Sequence, residues 1–203
     1  SSAIFPVSQT DYYTSSIHFL GYWLLKRNIQ EVTLVITLRD LNGNILLRKI
    51  EIIDNTKAFA IDLIKLLSQI NHKGKNFIGS IETEFNTTRD MVFPYPALVL
   101  EYHNELFNTC VHTLGRVYND FEDLNENSMF KVPETGFDIH ETDDLHSFFS
   151  FVNGSIVNQD GYIEYVITNS KSKKFSGNFH LGKIKPFEKQ FIYLNEHIDN
   201  LSQ

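Results

Sequence analysis

"EVTLVITLRDLNGNILLRKIEII", residues 31–53, sets two runs of β-branched and aliphatic residues on either side of Leu41-Asn42-Gly43-Asn44. An Asn-Gly step supplies the positive φ angles that a tight hairpin turn demands, so the stretch predicts strands over residues 32–38 and 45–53. Just beyond, Phe59, Ile61 and Leu63 alternate with Ala60 and Asp62 as in a short strand, while Ile64, Leu67 and Ile70 have helical spacing, so a helical turn follows. "NFIGSIETEF" suits a half-buried strand after a break at Gly79. "VFPYPALVLEY" brings two prolines to the entry of another, where a missing N–H does least damage.

The order aromatic run, strand, polar turn, strand, alternating strand, helical turn occurs twice. Residues 163–198, slid by 131 positions, fall on residues 32–67 with "VIT" on "VIT" and Ile192 and Leu194 on Ile61 and Leu63. "IHFLGYW" precedes the first copy and "LHSFFSFV" the second. The expectation is an all-β chain: two tandem β-sandwich units, immunoglobulin-like or related, over residues 1–120 and 145–203. Residues 121–144 form the linker between them. In the second copy the sequence stops where its next strand should start. That unit is then either smaller, or incomplete because its missing strands come from a longer protein or from elsewhere.

Composition agrees with a folded, strand-rich chain, at 42% hydrophobic residues with 17 Phe and 9 Tyr. Charge is uneven. Nine acids and one base lie between Asp120 and Asp144, which leaves the rest of the chain near neutral despite a net charge of -7. There is no basic excess of the kind nucleic acid requires. The longest apolar stretch, residues 17–25, is far below the roughly 20 residues of a membrane span. One cysteine cannot form an internal disulfide, so the fold owes nothing to an oxidising compartment and the balance leans to the cytoplasm.

"EYHNELFNTCVH", residues 101–112, raises the main chemical question. Any even hairpin loop around Asn104 and Glu105 places Glu101, His103, Asn108, Cys110 and His112 on one face, and Leu98, Leu100, Tyr102, Phe107 and Val111 on the other. The polar set is either a solvated face, or a divalent-metal site of Glu101, His103 and His112 with Cys110 beside them. Cys110 and His112 make a poor nucleophile pair, since i and i+2 side chains diverge along a strand.

Four other groups invite a ligand. Tyr12, Tyr13, Tyr22 and Trp23 suit a stacking platform for a sugar, or else core. His112, Arg116 and Tyr118, with Gly115 allowing close approach, suit an anion. His140, Glu141, Asp143, Asp144 and His146 in the acidic linker suit calcium, or a solvated segment. Glu82 and Glu84 share one strand face, as carboxylates on solvated faces commonly do.

No nucleophile elbow, P-loop, G-x-G-x-x-G, C-x-x-C or S-x-x-K is present. In strand pattern alone the chain resembles bacterial β-sandwich accessory modules. The functional expectation is therefore a non-catalytic binding or interaction module for a protein or glycan, an accessory part of a longer protein, with no resident cofactor. The rival is a metal-dependent enzyme at Glu101, His103 and His112.

Overall fold

The hairpin of residues 31–53 is present, closed by a turn other than the expected one. Strands β3 (Val32–Asp40) and β4 (Ile45–Ile53) pair antiparallel. Only Gly43, at φ 84°, takes a positive φ, and Asn42 does not. The reason is Asp40, whose Oδ1 accepts from the backbone N–H groups of Asn42 and Asn44, both at 2.9 Å. Gly43 N–H donates to the Asp40 carbonyl at 3.1 Å, and Asp40 N–H to the Asn44 carbonyl at 3.0 Å. That arrangement is a three-residue loop ending on a left-handed glycine.

The computed structural model describes residues 2–21, 23–24, 28–88, 98–112, 136–143 and 146–198. The chain divides into two compact units, Ser1–Lys131 and Val132–Gln203, a division that falls inside the acidic stretch. Among the described residues no helix is long and apolar enough to cross a membrane. Strands predominate, all paired antiparallel.

In the first unit β1 (Ser2–Gln9) and β6 (Phe77–Asn86) join β3 and β4 in a sheet of order β1-β6-β3-β4. A second sheet, in the order β5-β2-β7-β8, holds β2 (Thr14–Leu20), β5 (Ala58–Asp62), β7 (Val99–His103) and β8 (Asn108–His112). Helix α1 (Leu63–Gln69) follows β5 directly, its first turn capped by the Asp62 carboxylate, which accepts from Ile64 N–H at 2.9 Å. The expected strand and helical turn are both present, with Leu63, expected in the strand, opening the helix instead.

Alternation drives the two sheets onto one core. Phe5, Leu34, Ile36, Leu38, Ile81 and Phe85 line one side, and Ile17, Phe19, Ile61, Leu98 and Leu100 the other. Trp23, 1% exposed, bridges them, its ring 5.0 Å from Phe85 of β6 and 6.4 Å from Phe19 of β2. Where β1 of one sheet passes β2 of the other, a side chain replaces the backbone ladder. Ser15 Oγ accepts from Ser8 N–H at 3.0 Å and donates to the Ser8 carbonyl at 2.7 Å. Gly79 does not break β6 as expected but sits within it, because a Cβ there would lie 2.1 Å from the Arg39 carbonyl oxygen.

In the second unit β9 (Phe148–Val152) pairs with β12 (Lys189–Tyr193), and β10 (Asn158–Thr168) with β11 (Lys174–Ile184). A 3₁₀ turn, Leu194–Glu196, follows β12. Its described buried apolar residues are Ile184, Ile192, Leu194 and Ile198. The β10–β11 turn reproduces four hydrogen bonds of the β3–β4 turn. Asn169 Oδ1 accepts from Lys171 and Lys173 N–H, both at 3.0 Å. Ser172 N–H donates to the Asn169 carbonyl at 2.9 Å, and Asn169 N–H to the Lys173 carbonyl at 3.0 Å. Ser172 takes the left-handed place of Gly43, at φ 59°.

Candidate functional site

The β7–β8 hairpin has an even, four-residue loop, with His103 opposite Asn108, Glu101 opposite Cys110 and Val99 opposite His112. Asn104 closes it, its Oδ1 accepting from Leu106 and Phe107 N–H at 2.7 and 2.9 Å. The predicted polar face is therefore assembled. The opposite face is only partly buried: Leu98 and Leu100 join the core, whereas Phe107 and Val111 are exposed.

Strand β2 supplies what the hairpin lacks. Pairing with β7 puts Ser16 directly opposite Glu101 and His18 opposite Val99, on the polar face. His18 Nε2 lies 2.8 Å from both Glu101 Oε2 and Ser16 Oγ. Ser16 Oγ donates to Glu101 Oε2 at 3.3 Å, and Asn108 Nδ2 donates to Oε1 at 3.2 Å. Partial burial pushes the Glu101 carboxyl up, but the His18 hydrogen bond and charge, Asn108, and the charge of His103 outweigh it and hold the group below its ordinary value.

This cluster resembles a catalytic triad in composition and differs in wiring. A triad needs one ring nitrogen on the serine and the other on the carboxylate. Here a single nitrogen, Nε2, serves both. The hydrogen bonds close when Nε2–H points to Glu101 and the Ser16 hydroxyl donates to the same oxygen, which leaves no base for the hydroxyl. Ser16 is also only 4% exposed, out of reach of a substrate. The cluster fastens β2 to β7 and β8.

Of the expected metal triad, the side chain of His112 lies outside the described residues. His103 and His112 sit at opposite ends of the hairpin, four residue pairs apart, about 13 Å at strand rise. No group of three His, Cys, Asp or Glu side chains able to hold an ion occurs among the described residues. Cys110 is exposed and faces Glu101 across the strands.

The aromatic platform is likewise dispersed. Trp23 is core, because it fills the space between the sheets, while Tyr12 stands 79% exposed in the β1–β2 turn. Tyr13 packs edge-on against Tyr102, at 5.8 Å. The expectations for Tyr22, Arg116, Tyr118 and Asp144 lie outside the described residues. Ahead of β9, Glu141 accepts from Ser147 N–H at 2.6 Å and meets His146 Nδ1 at 3.1 Å. Ser147 Oγ bridges the backbone of His140. These groups pin the entry to β9. Glu82 and Glu84 are paired with Arg39 and Arg48, at 2.5 and 2.9 Å.

The sequence reading missed one aromatic cluster. On one face of the β9–β12 pair, Phe148 stacks on Phe191 with ring centroids 4.5 Å apart, and Tyr193 stands edge-on to both. Lys189 Nζ lies 5.6 Å from the Phe191 centroid, and burial holds its pKa down at about 8. Phe148 and Tyr193 are each 41% exposed. The available signal was alternation, since Lys189, Phe191 and Tyr193 occupy every second position of "KQFIY". No protein-family model, curated protein or solved structure matches the chain.

Proposed function

We propose that the chain is a non-catalytic interaction module of two β-sandwich-type units, and that its contact surface is the aromatic face of β9 and β12. The observation that carries this reading is the Phe148–Phe191–Tyr193 set, three large rings packed together and left partly open to solvent. Aromatic residues clustered at the centre of a patch are what protein contacts use as anchors. A protein ligand is favoured over a glycan because two of the rings are stacked on each other. They form one apolar block instead of separate platforms for sugar rings.

The polar groups that would do chemistry support the same reading, since Ser16, His18 and Glu101 are engaged with one another. The rival metal-dependent enzyme at Glu101, His103 and His112 is disfavoured by the β7–β8 register.

The tandem organisation is supported by element order and pairing. The segment β2-β3-β4-β5-α1, with β2 on β5 and β3 on β4, recurs as β9-β10-β11-β12 and the 3₁₀ turn, with β9 on β12 and β10 on β11. The immunoglobulin-like reading rests on the β2–β5 and β3–β6 pairs, which correspond to that fold's B–E and C–F pairs. The positions of β1 beside β6 and β7 beside β2 depart from it.

The test is a displayed peptide library and a glycan panel, each probed with the full chain and with Phe148→Ser/Tyr193→Ser. Apolar peptides that bind the first and not the second are expected. Binding to glycans alone would overturn the protein-ligand reading, and peptide binding indifferent to the substitutions would overturn the choice of surface.

A further inference from the structure

The first unit carries a second open surface, independent of the aromatic face. Strand β4 ends its sheet, paired only with β3 among the described residues. It is nine residues long and contains no proline or glycine. Its outward positions hold Leu46, Arg48, Ile50 and Ile52, with Ile50 67% and Ile52 49% exposed. Its other face carries Lys49 and Glu51 at the rim of the core, opposite Ile36 and Leu34, paired with each other at 2.6 Å. A long strand paired on one side only among the described residues is a template for another strand.

The residue order says which strand fits. A two-fold axis through an antiparallel pair runs perpendicular to the sheet, so each residue meets one from the same face and the central residue meets itself. Four such registers centre on residues 48–51. Centring on Arg48, on Lys49 or on Glu51 sets two like charges directly opposite each other, which is destabilising. Centring on Ile50 sets Ile50 on Ile50, Lys49 on Glu51 twice, and Leu47 on Ile53 twice. Each Lys49–Glu51 pair within a strand is then matched by its counterpart across the axis. Of these four registers the charges thus reject three and reward one.

We propose that β4 pairs antiparallel with β4 of a second copy of this chain, centred on Ile50, joining two four-stranded sheets into one of eight. A contact built around one strand pair is small, so the dimer is weak, with a Kd on the order of 10 µM.

Sedimentation equilibrium of the full chain tests this, with Trp23 fluorescence confirming that each variant is folded. The expected result is a concentration-dependent rise from 23.5 kDa to twice that mass. Ile50→Lys, at an exposed position that folding does not need, and Lys49→Glu, which sets four carboxylates together, should each raise Kd about tenfold or more. The double variant Lys49→Glu/Glu51→Lys restores complementarity and should return Kd to within about threefold of the parent. A chain that stays monomeric to about 100 µM overturns the proposal, as does a dimer indifferent to Ile50→Lys or a double variant no better than Lys49→Glu.

Discussion

Replacing Ser15 with alanine should cost the first unit far more than the loss of one oxygen atom suggests. Ser15 is fully buried, and its hydroxyl is the partner of both the N–H and the carbonyl of Ser8, itself 3% exposed. Both Ser8 groups point off the open edge of β1 towards β2, and alanine offers neither a donor nor an acceptor there. A buried backbone group left unpaired costs about 1–3 kcal/mol, so two amount to about 3 kcal/mol once partial relaxation is allowed. For a unit of this size that is roughly 10 °C in Tm, or a fall in urea midpoint of about 1–2 M. Trp23, the only tryptophan of the chain and buried in this unit's core, makes urea unfolding followed by its fluorescence specific to the unit. Ser80 provides the contrast: it is equally buried, but its hydroxyl has no hydrogen-bond partner among the described residues. Ser80→Ala should be neutral or stabilising. A loss below about 0.5 kcal/mol for Ser15→Ala, or equal losses for the two, would refute the claim that the Ser15 bridge holds the seam.

Glu101, its carboxyl held below the ordinary value of 4.5, contributes stability that is complete above that pH and lost as pH falls through the lower folded value. Glu101→Gln should therefore flatten the acid limb of a Trp23-monitored stability profile and destabilise at pH 7, and an unchanged limb would count against it. Lys189, with its folded pKa at about 8 and a higher one when unfolded, makes the second unit gain stability as pH rises through and above 8. Thermal melting by circular dichroism should show that gain, and Lys189→Met should abolish it. Ser172→Gly, which frees the left-handed residue of the β10–β11 turn, should stabilise by about 1 kcal/mol, and Gly43→Ala should destabilise by a similar amount.

What the sequence made legible was local. Aliphatic runs around a turn signal found β3 and β4, alternation found β5, the spacing of Ile64, Leu67 and Ile70 found α1, and the even loop at Asn104 gave the hairpin faces, because each depends on residues a few positions apart. The Ser16–His18–Glu101 cluster could not be read this way. It joins residues 83 and 85 positions apart, and nothing within "TSSIHFL" says that β7 is its neighbour. Trp23 shows the same limit, since an aromatic run looks alike whether it faces solvent or fills the gap between two sheets. At Gly79 the reason for glycine is a carbonyl from β3, forty residues away in sequence.

The paired turns at Asp40 and Asn169 act as two independent trials of one design within a single polypeptide. Both have the same four hydrogen bonds, yet the five loop positions share no residue. One has serine where the other has glycine at the left-handed position, and Asn where the other has Asp at the first. The side-chain carbonyl oxygen that gathers two backbone N–H groups is present in both. The same loop thus forms in two ways: a left-handed serine, at a strain of about 1 kcal/mol, is accommodated in one, while an Asp or Asn acceptor organises the loop in both. A search for this hairpin loop in other chains should key on an Asp or Asn before the loop, and should leave the glycine free.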